Sequence, residues 1–297
     1  MSKIILLDGG MGQELTHRAP EDPTPLWATQ VMLDHPGMVQ MIHQDYFDAG
    51  STVATTNTYA IHRDRFTGTE LEGRFEDLHR CALAEAKAAT EGRTGVRIAG
   101  SIGPLAASYR PELHPPHDQA VERYAEIARI LAPSVDFIIC ETVASLPHAR
   151  AVLEGAKVAG KPVWLSVTVD DEDGTLLRSG EAVADVCAIA KDGAAAVLAN
   201  CSAPEVMTAA LNALSKCGLP YGAYANGFEQ ITKEFLADKP TVDALNARRD
   251  LGPEAYAKYA LEWIEQGATI VGGCSEVGPA HITELSRALK AAGHQIV

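Results

Sequence analysis

The chain has 297 residues, 46% hydrophobic and 22% charged, a balance that can bury a sizeable core within the size of one α/β barrel. With 25 basic against 39 acidic residues the formal net charge is −14, which repels polyanions and excludes nucleic acid and anionic membrane surfaces as expected partners. No apolar stretch reaches the roughly 18 residues of a membrane span, and the opening MSKIILLDGG is too short in apolar length for a secretory signal, so a cytoplasmic location is expected.

In chain order, a strand over Lys3–Asp8 is followed by a long loop, His17–Asp34, and a helix over Pro36–Ala49. Strand Thr52–Thr56 precedes helix Leu71–Glu91, strand Val96–Ser101 precedes helix Asp118–Ala132, and strand Val135–Cys140 precedes helix Leu146–Ala159. Strand Val163–Val169 then leads to helix Gly180–Lys191, and strand Ala195–Asn200 to helix Pro204–Lys216. Strand Tyr221–Ala225 is separated by a second long loop, Asn226–Leu251, from helix Pro253–Gln266, and strand Thr269–Gly272 leads to helix Pro279–Ala292. Runs such as VDFIIC and AAAVLAN are apolar throughout, as strands covered on both faces require. Ser202-Ala203-Pro204-Glu205 offers a helix cap, a first-turn proline and an early acid. This alternation predicts an α/β fold with a single (β/α)8 TIM barrel over residues 1–297 as one domain, with an open doubly wound sheet as the alternative.

The residues at the strand ends carry the chemistry, because barrel enzymes place their sites there. Asp8-Gly9-Gly10, Thr56-Asn57-Thr58-Tyr59, Gly100-Ser101-Ile102-Gly103, Cys140-Glu141-Thr142, Asn200-Cys201-Ser202, Asn226-Gly227 and Gly272-Gly273-Cys274-Ser275-Glu276 all follow predicted strands. Neither glycine turn has dinucleotide or P-loop spacing, which excludes nucleotide binding. Asp8 and Glu141 suit a substrate ammonium or acid–base work, and otherwise a helix cap or ion pair. Six cysteines are scattered through the chain, which argues against a disulfide framework. Cys201 and Cys274 end the sixth and eighth predicted strands, near neighbours around the rim, and two converging thiols suit zinc; the alternative is two unrelated buried cysteines. His35, His43, His114, His117, His148 and His281 are expected to be solvated or packed rather than ligating. Tyr59, Trp27 and Tyr109 could wall a cationic group or simply pack.

Taken in order, LLDGGMGQEL, TTNTY, GSIGP, ETVAS, NCSAP and GGCSEVGPAHI, from Leu6 to Ile282, resemble the homocysteine S-methyltransferase family. The resemblance implies a barrel that moves a methyl group to homocysteine sulfur, giving methionine, with zinc activating the thiol. It assigns Cys201 and Cys274 as zinc ligands, and Asp8 and Glu141 to the amino-acid end of homocysteine, with Gly9 and Gly10 shaping the pocket. Thr56, Asn57, Tyr59 and Asn226 complete the expected substrate contacts. The family pattern has two adjacent cysteines after the glycines; here the second is Ser275, a poor zinc ligand beside a thiolate. Zinc is then expected to use Ser275 or Glu276 oxygen, to bind weakly, or to be absent. The implied partners are homocysteine and a small sulfonium or ammonium donor such as S-methylmethionine, S-adenosylmethionine or a betaine, with self-association as a homo-oligomer left open. The competing readings are a non-catalytic or divergent barrel that binds a small amino acid or thiol, its metal site weakened by Ser275, and a metal-free lyase using Asp8 and Glu141.

Overall fold

The computed structural model describes residues 2–21, 24, 26–229 and 247–297. Among the described residues nine strands form one parallel sheet: β1 (Lys3–Leu6), β2 (Val53–Thr55), β3 (Arg97–Ile102), β4 (Phe137–Val143), β5 (Val163–Val167), β6 (Ala194–Asn200), β7 (Tyr221–Tyr224), β8 (Ile270–Val271) and β9 (Gln295–Ile296). The order is β2-β3-β4-β5-β6-β7-β8-β1-β9. β1 and β2 meet through one backbone bond, Thr52 N to Leu6 O at 2.8 Å, outside the paired ladders.

The helices are α1 (Met11–Arg18), α2 (Trp27–Asp34), α3 (Met38–Ala49), α4 (Arg63–Phe66), α5 (Phe75–Ala89), α6 (His117–Leu131), α7 (Leu146–Ala156), α8 (Val186–Ala190), α9 (Pro204–Leu214), α10 (Pro253–Glu265) and α11 (Pro279–Ala291). No helix among the described residues is long and apolar enough to cross a membrane.

The core has two main parts, one inside the curl and one between sheet and helices, beside a small cluster of Phe47, Ala54 and Ala89. Leu7, Val53, Ala99, Phe137, Ile139, Trp164, Ala196, Leu198, Tyr224 and Ile270 pack together inside the curl, with the Phe137 and Trp164 rings stacked at 4.1 Å. A larger cluster, including Ile138, Cys140, Leu165 and Val197, packs between the sheet and the helices. Successive side chains on a strand alternate faces, so Phe137 and Ile139 point inward while Ile138 and Cys140 point out. Continuing that phase puts Glu141 inside, one layer above Ile139.

Several sequence expectations need correction. The His17–Asp34 stretch is not a structureless loop but holds the end of α1 and all of α2. The predicted helix Gly180–Lys191 shortens to α8, because Val169 bridges Leu177 and Leu176 bridges Ala182 in a folded excursion after β5. Ser202 does not cap α9: its hydroxyl donates to Val169 O at 2.9 Å and accepts from Val169 N at 2.9 Å, and Ala203 takes the cap position. The Asn226–Leu251 loop lies largely in residues 230–246, outside the described residues; its ends meet where Phe228 bridges Ala247. The cysteines are not all free thiols. Cys187 pairs with Cys217, on elements whose Cα atoms lie 4.6 Å apart, and Cys201 pairs with Cys274, leaving Cys81 and Cys140 free.

Candidate active site

The strand ends open into a pocket of about 120 Å³. Its walls include Asp8, Gly9, Gly10, Thr56, Asn57, Tyr59, Glu141, Cys201, Cys274 and Ser275, so nearly all the residues singled out in the sequence converge. Asn226 does not line it. It is buried beside the Cys201 turn, with its N–H donating to Ser202 O at 3.2 Å. Glu276 also turns away, accepting from Gln13 Nε2 at 3.3 Å. Trp27 begins α2, and its side chain lies outside the described residues.

Two carboxylates sit in the pocket with almost no solvent. Asp8 is 3% exposed and accepts from Thr55 N at 2.6 Å and Thr55 Oγ1 at 2.7 Å. Burial pushes its carboxyl up to about 7 against those two hydrogen bonds, with the Glu141 charge adding to the rise. His43 Nδ1 stands 3.9 Å from Asp8, but burial lowers this imidazole to about 3, so it is neutral and forms no ion pair. Glu141 accepts from Tyr224 OH at 2.9 Å and from Ser101 Oγ. Burial raises its carboxyl too, and the two hydroxyls oppose that rise.

Sequence reasoning placed Ser101 and Asn200 at strand ends without giving either a role, and passed over Tyr224, although Ser101 and Tyr224 lie in the inward phase of β3 and β7. Asn200 Oδ1 accepts from Thr142 N at 3.0 Å and Ser166 Oγ at 2.7 Å, and its Nδ2 donates to Thr142 Oγ1 at 3.0 Å. Thr142 sits at a break in the β4 register with φ 57°, and Asn200 is what holds that break. Of five non-glycine residues with positive φ among the described residues, Tyr109, Thr142 and Cys201 all line the pocket. Such conformations cost about 1–3 kcal/mol each and persist only where the surroundings enforce them.

The two glycine turns lock together. Gly10 N donates to Val277 O at 3.0 Å and Gly273 N to Asp8 O at 3.0 Å, so the first turn rests on the loop that carries Cys274. A Cβ at Gly9 would overlap the Val277 carbonyl and press on the Tyr46 ring; one at Gly10 would sit 2.7 Å from Cys274 O. Backbone cannot yield as a side-chain tip can. Gly9→Ala is therefore expected to cost roughly 3 kcal/mol, at the upper end for overpacking. Urea unfolding is the check, and an unchanged midpoint would show that the turn can shift without loss.

The sulfurs of Cys201 and Cys274 meet at the pocket wall, joined as a disulfide, with Cα atoms 5.8 Å apart. β6 delivers the first and the turn after β8 the second, its N–H donating to Ala225 O at 3.0 Å. A family model described as homocysteine S-methyltransferase matches residues 5–289. The chain belongs to the homocysteine S-methyltransferase family. Within this methyltransferase family, a homocysteine S-methyltransferase of Escherichia coli is 30% identical over 95% of this chain and 94% of its own length. The homocysteine S-methyltransferase YbgG of Bacillus subtilis is 28% identical over 95% and 93%. Crystal structures of the homocysteine methyltransferase MmuM from Escherichia coli superpose with TM-scores of 0.79 for a metallated form, covering 96% of both chains, and 0.77 for an oxidized form, covering 97% and 96%. Both are 25% identical to this chain.

Proposed function

We propose that the protein transfers a methyl group from a small sulfonium or ammonium donor to the sulfur of L-homocysteine, giving methionine, with zinc held at Cys201 and Cys274. The observation that carries this reading is the arrival of two cysteines from separate strands and two buried carboxylates in one pocket. The same reading takes the curled sheet as a (β/α)8 barrel and the chain as a single domain.

The donor set suits a soft cation once the disulfide is reduced. Among the described residues no three or more histidine, cysteine or acidic side chains lie close enough together to hold a metal ion by themselves. The protein thus offers two thiolates, and the remaining positions fall to the substrate sulfur and an oxygen, for which Ser275 stands nearest in sequence. Zinc, when bound, would keep a coordinated thiol deprotonated at neutral pH.

The rest of the work falls to the chain's own groups. Asp8 and Glu141 would receive the substrate ammonium; its charge would draw both carboxyls back to the ionised state, reversing the rise that burial causes. Thr55, Ser101 and Tyr224 keep the two carboxylates aimed inward, so that little reorganisation accompanies binding. The pocket lining contains no lysine, arginine or histidine among the described residues, which disfavours a donor rich in negative charge. Tyr59, Tyr109 and Phe228 give it aromatic surface instead, a surface that accepts an onium group through cation–π contact. A cationic donor loses its charge as the methyl leaves, a change that a pocket with little water favours.

The test uses reduced protein supplied with zinc, homocysteine and each of the three donor types in turn, with methionine and bound metal both measured. Metal-dependent methionine formation supports the reading. Homocysteine binding without turnover favours the non-catalytic barrel, whose support is the serine at position 275. In the same assay Ser275→Cys is expected to raise zinc affinity at least about tenfold, by analogy with the 10–100-fold effects of metal-site partners. Unchanged affinity in a chelator competition would remove residue 275 from the metal site.

A further inference from the structure

The folded excursion after β5 carries Arg178, whose side chain is 12% exposed although it does not line the pocket. Its guanidinium grips Asp171 with both arms, Nη1 to Oδ2 at 2.9 Å and Nη2 to Oδ1 at 2.9 Å. The same Nη2 lies 3.5 Å from the carbonyl oxygen of Cys201, and Nε lies 3.4 Å from Thr168 Oγ1. That hydroxyl in turn donates to Cys201 O at 3.1 Å. Asp171 Oδ1 also accepts from Ala203 N at 3.0 Å, two residues beyond Cys201. On its other side the guanidinium carbon stands 5.3 Å from the centroid of the Tyr109 ring.

These contacts meet at an unusual place. Cys201, with φ 49°, and Tyr109, with φ 62°, are both non-glycine residues in the left-handed region, and both line the pocket. One planar cation therefore bears on two pocket residues that the backbone alone would not hold. We propose that Arg178 is a positioning residue, which with Asp171 fixes the Cys201 turn and braces the Tyr109 wall. A lysine cannot do the same, because a point charge on a flexible stem cannot bind both carboxylate oxygens and still reach the carbonyl. The kinetic part of this inference rests on the methyl-transfer reading; the geometric part does not.

The experiment compares Arg178→Met and Arg178→Lys in a Cys187→Ala background, so that Cys201 and Cys274 are the only close thiol pair left after reduction. Capture of phenylarsine oxide, which needs two sulfurs held near each other, reads the Cys201 turn without metal or turnover. Arg178→Met is expected to slow capture at least fivefold and to lower kcat at least tenfold, with the homocysteine KM changed less than threefold; Arg178→Lys recovers part of each. Capture per folded molecule at the parent rate would overturn the proposal, as would activity lost only in proportion to folded protein. If the methionine variant does not fold, the lysine variant decides on the same two readouts. If the parent forms no methionine, the methyl-transfer reading fails, while the arsenical rates still decide the role of Arg178.

Discussion

Cys201→Ala is expected to lower methionine formation by about 10³-fold while leaving the protein folded. A free thiol near 8.5 is only about 3% thiolate at pH 7, so losing its activation costs about 30-fold. Losing the fixed placement of the reacting sulfur costs a further 10–100-fold, on the scale of misplacing a reactant by about 1 Å. The stability cost is small by comparison, because alanine leaves the backbone turn and its bonds to Tyr224, Thr168 and Arg178 in place. The homocysteine KM is expected to rise less than kcat falls, since Asp8 and Glu141 still hold the amino-acid end. Steady-state kinetics on reduced, zinc-supplied protein separates the outcomes. Near-parent activity in this variant would leave the field to acid–base chemistry between Asp8 and Glu141.

The parts of the site that were legible in the sequence are those where an unusual residue ends a strand. Asp8, Glu141, Cys201 and Cys274 each interrupt an apolar run, and the structure gathers all four into one pocket. Ser101 and Tyr224 were hidden because serine and tyrosine are ordinary strand residues, and only the inward phase of β3 and β7 separates them from structural ones. Asn226 was expected to contact substrate, but its turn faces Ser202 rather than the cavity, while Asn200, given no role, lines the pocket. α1 and α2 were missed because each is 8 residues long, with no side-chain cap at its start. β9 was missed because it is a two-residue strand, paired only along β1. The approach of Cys201 to Cys274 was readable from their strand-end positions, but the Cys187–Cys217 pairing was not, since cysteine spacing alone carries no contact information across 30 residues of a long chain. Arg178 lay in a stretch expected to lead into a helix, with nothing local to link it to a thiol 23 residues away.

Acidification from pH 7 to pH 5 is expected to destabilise the protein by about 3 kcal/mol, through histidines that no part of the proposed reaction uses. His43, His62, His79 and His148 are each at most 2% exposed. Both ring nitrogens of His43, and Nε2 of His79 and His148, have no hydrogen-bond partner among the described residues. Burial lowers His43 and His62 to about 3, His79 to about 4, and His148 well below its ordinary value. The unfolded chain takes up these protons below about 6.5 while the folded chain refuses them until about 3–4. In that window the unfolded state binds more protons, so stability falls with pH by about 1.4 kcal/mol per unit for each histidine. Asp8 works the other way. Its folded carboxyl, near 7 against 3.8 unfolded, binds a proton first and gains stability as pH falls, and Glu141 adds to this. Four histidines against Asp8, with Glu141 able to offset at most one proton more, leave a net uptake of at least about two protons on unfolding, about 3 kcal/mol per unit or more once pH is below 6. Urea unfolding at pH 7 and pH 5 measures the difference. His79→Gln, which retains a donor for Phe75 O in place of the ring nitrogen now 2.8 Å from it, should flatten the slope by about one proton, or about 1.4 kcal/mol per unit. Equal stability at the two pH values would mean that water or internal partners satisfy these rings, and that acid entry into the fold begins elsewhere.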